Sequence, residues 1–187
     1  MNAPSELRVI GIDPSLTATG VASSFGCSTF TSKAPGKDGT PLHDLMRLRE
    51  ITAQITGYCV EMMADLAVIE APAYSSNTGK STDRAGLHWM IRDRLLDVGV
   101  PVAIVITSQL KKYATGKGNA DKDSVLIAVV QRLPIMVTNN NEADAAVLYA
   151  MGMAHLGHPI AVLPAQHRSA LDGVKWPVRS AAVEVAT

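Results

Sequence analysis

The chain has 187 residues, 47% of them hydrophobic and 18% charged, and its formal net charge at pH 7 is zero. These values predict one globular domain with a sizeable core, and they exclude a strongly basic protein that binds nucleic acid through its overall charge. No apolar run reaches the roughly 18 residues of a membrane span. The N-terminal residues lack the pattern of a secretion signal, so we expect a cytoplasmic protein without membrane contact.

The predicted elements begin with three strands and then alternate between helices and strands. Strand patterns occur at residues 7–13, 19–25, 27–32, 66–70 and 102–106, and helical spacing of apolar residues occurs at 42–64, 83–98, 120–132 and 142–156. This order predicts an α/β fold with a mixed five-stranded sheet flanked by helices. Residues 1–163 would form that domain, and residues 164–187 are expected to form an extended C-terminal tail.

Carboxylates stand at the ends of two predicted strands and at the start of the last helix. Asp13 ends the first strand before Pro14, and Glu70 ends the fourth strand. A carboxylate at the end of an apolar strand loses solvation unless a cation or hydrogen-bond donors meet it. Asp144 and Glu142 open the helix at 142–156, where favourable interaction with the helix dipole explains them equally well.

If the sheet brings these acids together, their mutual repulsion requires a cation. No cluster of His or Cys accompanies them, so hard oxygen ligands indicate Mg²⁺ or Mn²⁺. Two such ions about 4 Å apart activate a water and stabilise the leaving oxygen in a phosphoryl displacement. The acids therefore predict nuclease chemistry.

A group of lysines lies between the fifth predicted strand and the first turn of the helix at 120–132. It comprises Lys111, Lys112, Lys117 and Lys122. Such a run is most often a solvated surface. Lys122, however, lies in the first turn of a helix, where a positive charge opposes the dipole and favours a bound anion such as phosphate. Gly116 and Gly118 would let the intervening backbone approach a DNA strand.

Four motifs, taken together, resemble the RuvC family of Holliday junction resolvases. They are GIDPSLTATG at 11–20, VIEAP at 68–72, LKKYATGKGNADK at 110–122 and EADAAVLYAMGMA at 142–154. They occur in the family's order and span residues 7 to about 156. Among its members, the chain looks most like the bacteriophage RuvC-like proteins.

The resemblance implies a ribonuclease H-like fold and a set of site residues. Asp13, Glu70 and Asp144 match the family's metal ligands for Mg²⁺, for which Mn²⁺ should substitute. For the fourth ligand we favour Glu142 slightly over Asn141. Lys111 and Lys122 match the lysines that contact phosphate and stabilise the transition state, and Lys112 and Lys117 are expected to be general phosphate contacts.

The resemblance also implies partners. The substrate would be branched DNA, meaning four-way junctions and also flaps and forks. After Glu70 the family often has an aromatic residue at the junction centre; Ala73 aligns with it and Tyr74 follows, so Tyr74 is a candidate DNA contact or else a packed loop residue. A homodimer would suit a two-fold substrate, with the helix at 83–98 as the interface.

Two other functions fit parts of the sequence. GIDPSLTATG is also similar to the first phosphate loop of actin-like kinases and ATPases, which would bind ATP, although 187 residues leave no room for their second domain. A non-catalytic module that binds branched DNA is the other alternative, and for it metal would change only affinity.

Overall fold

The computed structural model describes residues 7–34, 36, 39–72 and 80–178. Its strands are β1 (Val9–Asp13), β2 (Ala18–Ser23), β3 (Gly26–Thr31), β4 (Leu66–Glu70) and β5 (Val102–Val105). Its helices are α1 (Pro41–Glu61), α2 (Ser81–Asp97), α3 (Thr107–Thr115), α4 (Lys122–Arg132), α5 (Asn140–His155) and the short α6 (Ala165–Arg168), followed by a 3₁₀ turn at Leu171–Gly173. Within these ranges no helix is both long enough and apolar enough to cross a membrane.

The sheet is mixed and has the strand order β3-β2-β1-β4-β5, which confirms the predicted architecture. β1, β2 and β3 pair antiparallel, whereas β4 pairs parallel with both β1 and β5. In this register Asp13 is opposite Gly20 and Glu70 is opposite Val105. The parallel pairing of β1 and β4 brings the carboxyl ends of both strands to one edge of the sheet.

Helices cover both faces of the sheet and form a core on each. Ile10, Ile12 and Ile69 lie in the core formed with α1 and α2, whereas Val9 and Val68 lie in the core formed with α3, α4 and α5. Because side chains alternate along a strand, Gly11 and then Asp13 follow Val9 on the second face, and Glu70 follows Val68. Strand periodicity therefore directs both carboxylates towards α5.

Two glycines allow α5 to lie directly against the sheet. A Cβ at Gly11 would be 2.1 Å from the Ala145 carbonyl oxygen, and one at Gly20 would be 2.1 Å from the Asn141 carbonyl oxygen. Real Cβ contacts are never this short, so only glycine permits the observed separation of backbones. This close approach brings the first turns of α5 to the ends of β1 and β2.

Helix α3 was not predicted, because no helical pattern was recognised between the strand at 102–106 and the helix at 120–132. Leu110, Tyr113 and Ala114 are its buried residues, and their spacing is helical. The helix ends at Gly116, whose φ of 82° is typical of the residue that follows a helix. Helix α3 has only 9 residues, and two of them are lysines. Its apolar face is therefore too short to give a recognisable helical pattern in the sequence.

The chain beyond Leu163 packs on the domain as far as residue 178, which differs from the extended tail expected there. His167, Ala170 and Val174 are buried, and Lys175 forms a β-bridge with Ile104 beside β5. The Trp176 ring stacks on His155 at 4.0 Å between ring centres. His167, Ala170 and Val174 recur at helical spacing, but only Ala165–Arg168 is α-helical. Pro164, Gly173 and Pro177 lie among them, and these residues favoured a tail over a helix in the sequence.

Candidate active site

Three carboxylates from three elements meet at the edge of the sheet. Asp13 ends β1, Glu70 ends β4 and Asp144 lies in the second turn of α5, and each offers an oxygen within 4.8 Å of the others. They line a cleft of about 340 Å³ together with residues of α2, α3 and α4. Three hard oxygen donors at this spacing suit a small divalent cation such as Mg²⁺ or Mn²⁺.

The electrostatics of the cluster favour a cation. Burial, the charges of Glu70 and Asp144, and a hydrogen bond with Glu70 raise the pKa of Asp13 well above its usual value, while Lys122 opposes the shift. Burial and the charge of Glu70 raise the pKa of Asp144 to about 7, against the lowering effect of Lys122 and Lys111. Without a cation the cluster therefore retains protons that free aspartates would lose.

Thr107 fixes the Glu70 side chain. Its hydroxyl donates a hydrogen bond of 2.7 Å to Glu70 Oε1, and Thr107 is the first residue of α3, directly beyond the end of β5. Because β4 and β5 are parallel neighbours, the residues that follow them lie side by side. Thr107 was not predicted from the sequence, although it lies two residues after the buried strand next to β4, and that position indicates it.

Glu142 is not part of the cluster, which corrects the preference for it as the fourth ligand. Its carboxylate accepts hydrogen bonds from the Thr29 hydroxyl at 2.9 Å and from the Thr138 amide and hydroxyl, both at 2.8 Å. Burial would raise the pKa of Glu142, but hydrogen bonds from Thr138, Thr29 and Asn139 outweigh burial and lower it. Glu142 thus anchors the start of α5 to β3, on the side away from the cleft.

Asn141 lies in the cleft beside the three acids. Its Nδ2 donates a 2.7 Å hydrogen bond to the Ala18 carbonyl oxygen. Since the amide nitrogen is engaged by the backbone of β2, the amide oxygen is the side-chain atom with which Asn141 can coordinate a cation. The structure thereby favours the alternative that the sequence analysis ranked second.

The predicted DNA contacts separate into two groups. Lys111 and Lys122 line the cleft together with the three acids, and their charges lower the pKa of Asp144. Lys117 is exposed and Lys112 is half-buried, and the lining of the described cleft includes neither. Tyr74 and Ala73 lie outside the described residues.

Helix α2 contributes two further residues to the cleft, Arg84 and His88. His88 is only 5% exposed, and its Nε2 has no hydrogen-bond partner within the described part of the chain. Burial and the charge of Arg92 lower the pKa of His88 to about 4, against the effect of the Glu70 backbone. At neutral pH the His88 ring is therefore uncharged.

Comparisons with known proteins agree with this geometry. RuvC of Streptomyces coelicolor is 29% identical over 177 residues, covering 92% of this chain and 94% of the relative. RuvC of Nocardia farcinica is 30% identical over 155 residues and covers 80% of both chains. These relatives are bacterial, and the likeness to bacteriophage members stays a prediction.

A solved structure shows the fold. The RuvC structure of Thermus thermophilus superposes with a TM-score of 0.62 at 18% identity, covering 83% of this chain and 100% of that one. The likeness confirms the ribonuclease H-like fold. The family model for crossover junction endodeoxyribonuclease RuvC matches residues 9–155. Since that range holds the acidic cluster and both cleft lysines, the chain belongs to the crossover junction endodeoxyribonuclease RuvC family.

Proposed function

We propose that this protein is a metal-dependent endonuclease that hydrolyses phosphodiester bonds in Holliday junctions and other branched DNA. The observation that carries the proposal is the cluster of Asp13, Glu70 and Asp144, with oxygens within 4.8 Å of one another and two lysines at the same cleft. Membership of the RuvC family supports the substrate class. A RuvC from Thermus thermophilus has been solved in complex with a Holliday junction substrate.

In this proposal Asp13, Glu70 and Asp144 hold Mg²⁺, and Asn141 adds its amide oxygen. Two bound ions would supply an activated water and charge neutralisation at the leaving oxygen. Thr107 keeps Glu70 oriented towards the cleft through its 2.7 Å hydrogen bond. Asp13 and Asp144 release their protons on loading, because a coordinated carboxylate is ionised. Lys111 and Lys122 then meet the scissile phosphate and stabilise its developing charge.

The proposal includes a homodimer acting on DNA in the cytoplasm, because two strands of a junction must be cut and two sites suit a two-fold substrate. The expected interface on α2 needs correction in part. Leu87 and Ile91 are at most 1% exposed and belong to the protein's own core. Trp89 is 64% exposed, with the Arg92 guanidinium 4.3 Å from its ring centre, so it remains available to a partner.

Incubation of the protein with a synthetic four-way junction tests the function. We expect symmetric nicks with Mg²⁺ that do not depend on ATP. Binding without any cleavage would instead support a non-catalytic module, and a requirement for ATP would support the actin-like alternative. The matched variant is Glu70→Gln, which keeps the side chain's size and its hydrogen bond from Thr107. It should fold and bind the junction but lose cleavage; near wild-type nicking would remove Glu70 from the mechanism.

A further inference from the structure

The end of helix α3 is held by the segment that follows Leu163. A helix leaves its last carbonyl groups without partners inside the helix, so other groups must satisfy them. His167 Nδ1 lies 2.9 Å from the Tyr113 carbonyl oxygen, and Gln166 Nε2 donates to the Gly116 carbonyl oxygen at 2.9 Å. Two consecutive residues of α6 thus bind the last turn of α3 and the glycine that ends it.

The His167 ring also connects α3 to α4. Arg132, the last residue of α4, places its Nη1 3.2 Å from His167 Nε2 and 3.3 Å from the Ala114 carbonyl oxygen. The Tyr113 carbonyl oxygen can accept a hydrogen bond from Nδ1, and the Arg132 guanidinium can donate one to Nε2. One buried imidazole therefore joins the C-terminal ends of both helices.

These two helices carry the cleft lysines. Lys111 lies in α3 and Lys122 begins α4, so both side chains depend on the angle that the chain makes at Gly116. Gly116 has a φ of 82°, and a Cβ there would lie 3.0 Å from His167 Nε2. The backbone turn at Gly116 therefore packs directly on the His167 ring, which occupies the space that a side chain at position 116 would need.

We propose that residues 164–178 form a brace, in which His167 and Gln166 are positioning residues that hold α3 and α4 so that Lys111 and Lys122 face the acidic cluster. The inference rests on the proposed function of those lysines. The brace lies beyond residues 9–155, the part of the chain that the family model matches. An isolated helix of 9 residues is marginal in water, so α3 depends on such external contacts for its orientation.

The test compares variants of the brace with a core variant on the opposite face of the sheet. His167→Ala removes the hydrogen bonds to Tyr113 and Arg132, whereas His167→Asn retains an amide donor close to the position of Nδ1. Ile55→Val is the control, because Ile55 is fully buried in α1 on the opposite face of the sheet. Each variant is assayed for junction affinity in Ca²⁺ and for single-turnover cleavage in Mg²⁺ at saturating protein.

We expect His167→Ala to slow single-turnover cleavage about tenfold, which corresponds to about 1.4 kcal/mol, while junction affinity changes by less than about twofold. His167→Asn should recover most of the rate, and Ile55→Val should cleave like wild type. Cleavage by His167→Ala at the wild-type rate, or an equal loss in Ile55→Val, would overturn the brace. Should His167→Ala fail to fold, Gln166→Ala takes its place with an expected loss of about threefold.

Amide hydrogen exchange gives a readout that does not depend on cleavage. His167→Ala should accelerate exchange in residues 113–121, including the Gly116 amide that bonds to the Lys112 carbonyl at 2.8 Å, and Ile55→Val should not. Unchanged exchange in those residues rejects the brace. If the wild-type protein cleaves no branched DNA in Mg²⁺, the proposed function fails, and exchange alone then decides whether the brace exists.

Discussion

At the scale of single residues, we expect replacement of a cleft lysine to affect mainly the cleavage rate and replacement of Lys117 to affect mainly junction affinity. Lys122 lines the cleft together with Asp13 and Asp144, whereas Lys117 is exposed beyond Gly116. A charge aligned with the scissile phosphate acts most strongly in the transition state. We therefore expect Lys122→Ala to cost roughly 3 kcal/mol of transition-state stabilisation, about a hundredfold in rate, by analogy with loss of an oxyanion donor.

The matched variant Lys117→Ala should mainly weaken binding and reduce its salt dependence, as loss of one backbone contact does. Single-turnover cleavage at saturating protein, set beside gel-shift affinity in Ca²⁺, distinguishes the two effects. If Lys122→Ala binds tenfold worse yet cleaves normally once bound, Lys122 is a phosphate contact and not a catalytic residue.

The raised pKa of Asp144 predicts how stability depends on pH. In the fold its pKa is about 7, against 3.8 for a free aspartate, so between about pH 4 and pH 7 the folded metal-free protein binds more protons than the unfolded chain. Stability must therefore fall as pH rises through this window. Asp144→Asn removes this loss, and at pH 8 without metal the variant should be more stable than wild type by on the order of 3 kcal/mol.

Urea unfolding at pH 5 and pH 8, with EDTA or with Mg²⁺, measures this effect. Mg²⁺ should stabilise the wild-type protein at pH 8 and have little effect on Asp144→Asn. Asp97→Asn is the control, because Asp97 is an exposed carboxylate paired with Arg94 on the surface of α2. An Asp144→Asn protein that is less stable than wild type at pH 8 in EDTA would contradict the repulsion described for the cluster.

At the scale of elements, the separation of α5 from the sheet determines whether the site forms. Gly20→Ala places a Cβ against the backbone of Asn141, which must move together with Asp144. We expect a loss of stability of about 1–3 kcal/mol, as for other overpacked positions, and weaker Mg²⁺ binding. Thermal unfolding and Mg²⁺ titration measure the two effects.

Gly57→Ala provides the contrast for Gly20→Ala. Gly57 is exposed in α1, and a Cβ there meets nothing within 4 Å. Alanine should stabilise the helix by about 0.5–1 kcal/mol and leave Mg²⁺ binding unchanged. If Gly20→Ala bound Mg²⁺ as tightly as Gly57→Ala does, the position of α5 would not limit the metal site.

At the scale of the whole molecule, assembly is the property to measure. The proposed dimer predicts that sedimentation at micromolar concentration finds two chains, and that Trp89→Glu shifts the protein towards monomer. Phe25→Glu is the matched control, since Phe25 is 83% exposed in the turn between β2 and β3, away from α2. Wild-type monomers that still make paired cuts would reject the dimer.

Much of the fold follows from the sequence, because buried strands and amphipathic helices leave periodic patterns. The sheet was predicted because β1 and β4 are short apolar runs that end at a carboxylate near a proline. Helix α3 and the brace were not predicted. Helix α3 has only 3 buried residues, and in the brace proline and glycine interrupt the helical spacing of His167, Ala170 and Val174. Periodicity is informative only where a face is continuous over several turns.

The sequence alone indicated Asp13, Glu70 and Lys122, since a carboxylate at the end of an apolar strand and a lysine in the first turn of a helix are each unfavourable without a partner. Only the tertiary structure decided between Glu142 and Asn141. These neighbours differ by about 100° around α5, so one side chain meets Thr29 and Thr138 while the other faces the cleft. The sequence does not show which of these two neighbours points towards the acids. The close packing of α5 against Gly20 fixes the rotation of the helix, and this rotation places Asn141 in the cleft.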